Sequence, residues 1–76
     1  MDEQKLIHDP PQKVLALYQA VIEFINEGCD INTLKVADIT GWAGIGKGTA
    51  YEYFSSKEEI ISSAILYYVK VCFEKL

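Results

Sequence analysis

The chain has 76 residues, half of them apolar, with eleven acidic side chains against seven basic ones and a formal net charge of −4. This length allows one small domain with modest burial, and the apolar share excludes an intrinsically disordered chain. No apolar run is long enough to span a membrane, no secretory signal is expected from the acidic start, and one histidine with two cysteines at no ligand spacing leads us to expect no metal or cofactor.

Residues 1–9 read as a polar tail, and a single domain is expected over 10–76. Asp9-Pro10-Pro11 is a helix start signal, an N-cap residue followed by prolines set for the first turn. From Pro11 to Glu27, apolar residues fall at Val14, Leu15, Leu17, Tyr18, Val21, Ile22, Phe24 and Ile25, a helical stripe. Gly28 suits the left-handed position that ends it. Thr33 is the expected N-cap of a second helix, Leu34 to about Trp42, with Val36, Ala37, Ile39 and Thr40 inward. Gly44 is the turn glycine. A third helix is expected from Lys47 to Phe54, with Ala50 and Phe54 inside, Ile45 plugging the turn, and Lys47, Gly48, Tyr51 and Glu52 outward. Two short helices joined by such a turn form a helix-turn-helix, whose second helix can enter the DNA major groove.

Ser56 and Glu59 form a capping box for the last helix, Lys57 towards Leu76. Its apolar residues span roughly 240° of arc, against about 100° for a one-sided surface helix. Glu59, Ser63, Tyr67, Lys70 and Glu74 fill the polar remainder. Leu66, Val69, Phe73 and Leu76 have nothing in the chain to cover them, which points to a partner, either a second copy or a further part of a longer chain. The fold class expected is all-α, a three-helix, homeodomain-like helix-turn-helix bundle plus the start of a long fourth helix. Cys29 and Cys72 read as reduced thiols packed as small hydrophobes.

Charge is unevenly spread. Residues 1–28 carry two lysines against five acids, residues 29–57 three against three, and residues 58–76 two against three. The acid excess therefore lies outside the helix-turn-helix. Nucleic-acid binders show a basic patch; here a positive field must come from a few lysines and from helix N-termini.

The residues Ile39-Thr40-Gly41-Trp42-Ala43-Gly44-Ile45, Gly46-Lys47-Gly48-Thr49-Ala50-Tyr51-Glu52-Tyr53-Phe54 and Ser56-Lys57-Glu58 with Ile60 resemble the N-terminal DNA-binding domain of tetracycline-repressor (TetR) family bacterial transcriptional regulators. The turn, the Y-x-Y-F end of the third helix and the S-K-E cap stand at the family's spacing, and the resemblance covers about residues 12–66. It implies sequence-specific binding of double-stranded DNA at a near-palindromic operator, homodimerisation of the full-length protein through a larger helical domain that also takes a small-molecule effector, and a cytoplasmic repressor. That larger domain is expected to be absent from these 76 residues. Carried over residue by residue, the DNA-binding set is Thr33, Lys35, Gly46, Lys47, Gly48, Thr49, Tyr51, Tyr53 and Lys57. Thr33, Tyr53 and Lys57 resemble phosphate contacts, with Lys35 near enough to touch a phosphate. Lys47 suits guanine, and the Thr49 methyl suits thymine. Gly48 permits close backbone approach, and Tyr51 is a base or phosphate contact. The chain departs from the family pattern at Gly46 (for Ser), Ala50 (for a larger aliphatic, with Trp42 expected to fill the space) and Thr40 (for Ala).

Two other readings fit parts of the sequence. Gly41-Trp42-Ala43-Gly44-Ile45-Gly46-Lys47-Gly48 nearly spells a phosphate loop, but Gly48 brings no hydroxyl for Mg²⁺ and no apolar strand precedes it. A helical protein–protein interaction or dimerisation module without DNA binding fits the acidic balance and the missing arginine. An enzyme is not expected, because no nucleophile and base are paired.

Overall fold

The computed structural model describes residues 10–74. Within them lie four helices and no strand: α1 (Gln12–Asn26), α2 (Val36–Ala43), α3 (Lys47–Tyr53) and α4 (Lys57–Glu74). The all-α helix-turn-helix class expected from sequence is the class observed.

The first helix is the spine. Val14, Leu17, Tyr18, Ala20 and Val21 are buried at helical spacing, while Gln19, Glu23 and Asn26 remain exposed. This helix packs chiefly on α4 and α2. It begins one residue later than expected, with Pro11 at the N-cap and no side-chain cap; Asp9, the expected cap, lies outside the described residues. Its end follows the sequence reading closely. Gly28 has φ +85°. The Cys29 N–H donates to the Phe24 carbonyl and the Gly28 N–H to the Ile25 carbonyl, each at 3.0 Å. That pair is a Schellman motif.

α2 ends the same way. Gly44 has φ +75°, the Ile45 N–H donates to the Thr40 carbonyl at 3.1 Å, and the Gly44 N–H donates to the Gly41 carbonyl at 3.3 Å. The motif returns Ile45 to the core edge, where it is partly buried. Thr40 is buried, and its hydroxyl donates to the carbonyls of Val36 (3.0 Å) and Ala37 (3.3 Å). The polar group at a packed position is thereby satisfied within its own helix.

The structure corrects several local expectations. Thr33 does not cap α2: its hydroxyl donates to the Asp30 carbonyl at 3.0 Å. Asp30 also organises an Asx turn by accepting the Asn32 N–H at 2.9 Å. The tight 30–33 turn engages Thr33, so the helix starts at Val36, with Lys35 at the N-cap. There the Asp38 carboxylate accepts the Lys35 N–H at 3.3 Å. Ala37 is exposed rather than inward, and Leu34, ahead of the helix, is buried in its place. Trp42 is 51% exposed, so it does not fill the space beside Ala50. Cys29 and Cys72 are free and exposed, not packed.

α4 begins as expected at Lys57. Ser56 Oγ accepts the Glu59 N–H at 3.2 Å, while the Glu59 carboxylate reaches back to the Ser55 N–H at 3.4 Å. Its inner stripe is Ile60, Ile61 and Ala64, continued by half-buried Tyr67. Tyr67 and Ser63 were expected on the polar side. Both turn inward because Tyr18 is buried there: Ser63 hydrogen-bonds Tyr18, and the Tyr67 ring lies 5.2 Å from that of Tyr18. Tyr18 also meets Phe54 at 6.1 Å. These ring contacts tie α1 to α4 and to the end of α3. Lys70 and Glu74, both on the expected polar side, pair at 2.9 Å.

Candidate nucleic-acid interface

α3 is seven residues long, and its burial follows pairs four apart. Ala50, with Phe54 just past the helix end, faces the core. Gly48 and Glu52 are exposed. Thr49 and Tyr53 are half-buried, and Tyr53 packs on the core edge. Lys47 and Tyr51 are exposed and line a cleft shared with the segment ahead of α2. α3 therefore presents an outer ridge, Gly48 and Glu52, with one flank on each side.

That cleft is the main feature of this face. It has a volume of about 600 Å³ and gathers Thr33 and Lys35 from the segment before α2, Lys47 and Tyr51 from α3, and Lys57 from the start of α4. Five of the nine residues singled out from sequence thus meet in one place. Three are lysines, and no carboxylate lines the cleft. In a chain of net charge −4 this is a local reversal of sign. The Lys57 ammonium donates to the Asn32 carbonyl at 3.4 Å, bridging the start of α4 to the 30–33 turn. Asn32 went unremarked in the sequence, because a backbone carbonyl leaves no signal in residue type.

The other four candidates lie elsewhere on the same helix. Gly46 is the N-cap of α3 and brings no side chain to it. Gly48 is on the outer ridge; a Cβ there would meet nothing within 4 Å. Thr49 and Tyr53 occupy the far flank. Glu52 shares the ridge with Gly48, an acid in the centre of a face otherwise cationic on one side.

Comparison with known proteins adds the deciding observation. The family model described as bacterial regulatory proteins, tetR family, matches residues 19–64, more than half of the chain. The chain belongs to the tetR family. The match runs from the middle of α1, through α2 and α3, into α4, and so contains the whole cleft. This family consists of DNA-binding helix-turn-helix regulators, and the tetR match agrees with the all-helical architecture. No curated protein and no solved structure matches the chain.

Proposed function

We propose that this chain binds double-stranded DNA as the DNA-binding part of a bacterial transcriptional repressor, with α3 as the recognition helix. The observation that carries the reading is the cleft holding Lys35, Lys47 and Lys57 without a carboxylate. Lysines gathered this way make the cleft positive, and those that meet phosphates release counterions, which supplies most of the affinity for DNA of any sequence. In this reading Lys57, Lys35 and Tyr53 hold phosphates on either side of the groove, and Thr33 joins them by turning its hydroxyl from the Asp30 carbonyl to a phosphate oxygen. Lys47, Gly48, Thr49 and Tyr51 meet base edges, with Gly46 opening the helix beside the backbone.

The exposed apolar side of α4 supports a dimer of the full-length regulator. Leu66, Val69 and Phe73 are exposed, Phe73 by 75%; Leu76 lies outside the described residues. A dimer would read a near-palindromic operator with half-sites about 34–36 Å apart, or a multiple of that. The same reading places the protein in the bacterial cytoplasm, with a small-molecule effector taken by a further helical domain. Among the described residues, no helix is long and apolar enough to cross a membrane. The reading assigns no catalytic step.

Alanine variants on a panel of half-site duplexes test it. Lys57→Ala should weaken binding about equally on every sequence and reduce the salt slope by about 1. Lys47→Ala should also change base preference. Equal, sequence-independent losses for both would refute the division into phosphate and base contacts.

A further inference from the structure

A second concavity lies away from the lysine cleft, among α1, α2 and α4. Its volume is about 290 Å³, and it is lined by Tyr18 and Glu23 of α1, Trp42 of α2, and Tyr67 and Tyr68 of α4, with Ile22 and Gln19 beside them. Four aromatic rings from three helices meet there with one carboxylate. No lysine lines the pocket. We propose that it binds a small alkylated ammonium cation.

The argument is one of charge and hydration. Aromatic faces are negative, and a cation over them is attracted by the ring quadrupole, most strongly by tryptophan. Glu23 adds a formal negative charge. Tyr18 is buried with its ring packed against Tyr67 and Phe54, so the faces open to a ligand are those of Trp42, Tyr67 and Tyr68. An anion meets no positive group among the lining residues. A neutral apolar ligand gains nothing from the carboxylate. A bare metal ion would meet one carboxylate and few other oxygens, short of the six or more that hard cations take. An alkylated ammonium gives up little hydration, offers methyl groups to the rings and a charge to Glu23. The volume sits at the lower end of ligand pockets, roughly 300–1,000 Å³, which suits a compact head group.

The partial exposure of Trp42 also fits. At 51% exposed it serves no core role, and large exposed aromatics beside a charged rim are what a cation site needs. The pocket shares no lining residue with the cleft assigned to DNA, so the two proposals stand or fall separately.

Choline and its uncharged isostere 3,3-dimethyl-1-butanol form the test. Trp42 is the sole tryptophan, so its emission reads the pocket directly, and the Ile22 methyl shifts in NMR give a second readout of the same titration. Choline should produce a saturable change, and the isostere should bind about tenfold more weakly, as expected for a cation over two or more rings. Glu23→Gln alters an exposed side chain and should weaken choline about two- to fivefold while leaving the isostere unchanged. Tyr68→Leu, also at a half-exposed position, should weaken choline by about the same factor. Equal binding of choline and the isostere, no saturable change in either readout, or full choline affinity in Glu23→Gln would each overturn the proposal.

Discussion

Tyr18 shows how one side chain can govern several elements. It is 1% exposed, packs its ring at a tilt against those of Tyr67 and Phe54 and hydrogen-bonds Ser63. Burial holds its phenol neutral and raises its pKa from 10.0 to about 12. The neutral form is the one the fold stabilises. Tyr18 thus contributes its full share below pH 10 and loses it as pH rises from about 10 towards 12, a loss on the order of 2 kcal/mol. Denaturant melts at pH 9, 10 and 11 should show this decline, and Tyr18→Phe should remove Tyr18's part of it, at a cost near 1 kcal/mol at neutral pH for the lost hydrogen bond. Two glycines make opposite predictions. At Gly44 the left-handed backbone penalises any Cβ, though nothing within 4 Å would clash, so Gly44→Ala should destabilise by about 1–2 kcal/mol. Gly48 is helical with open space around it, so Gly48→Ala should stabilise the free protein by about 1 kcal/mol. If Gly48 lies against DNA as proposed, the same substitution weakens binding; thermal melts and duplex titration of one variant check both. Glu52, exposed on the same ridge, should repel phosphates, and Glu52→Gln should tighten binding to random duplex.

At the scale of elements, α1 and the first half of α4 bury most of the core, while the second half of α4 keeps its apolar side in solvent. Leu17 and Ile60 are fully buried between them, and Leu17→Ala should cost about 2–5 kcal/mol in denaturant unfolding. By contrast, Leu66→Glu/Phe73→Glu should leave the fold intact, because both positions are exposed. Sedimentation would show whether it abolishes any self-association; an unchanged mass in a self-associating wild type would exclude this face. Element ends were legible where glycine set them. Gly28 and Gly44 were placed correctly because only a left-handed residue closes a Schellman motif cheaply. They were illegible where side chains competed for backbone partners. Thr33 reads as an N-cap in sequence, yet Asp30 two residues before Asn32 draws the chain into a turn that claims it. Tyr67 reads as polar by composition, yet its ring follows Tyr18 into the interior.

For the whole molecule, the net charge of −4 is a poor guide to the surface that matters. Sequence order separates Lys35, Lys47 and Lys57 by about three helical turns each; the fold brings them to one cleft and keeps carboxylates out of its lining. The family pattern pointed to the residues, but only packing reveals that five of the nine share this cleft while Thr49 and Tyr53 take the opposite flank. The aromatic pocket was not visible in sequence, since its four rings come from three helices and Trp42 reads as core. A duplex of any sequence should bind weakly, near 10⁻⁴–10⁻⁶ M, with steep salt dependence. The most direct test of the central claim is an NMR titration of the labelled chain with a random duplex of about 20 base pairs at low salt. The account predicts shifts centred on Thr33, Lys35, residues 46–53 and Lys57, fading as salt is raised. Shifts confined to α4 beyond Ala64, or none at all along α3 and the lysine cleft, would contradict it.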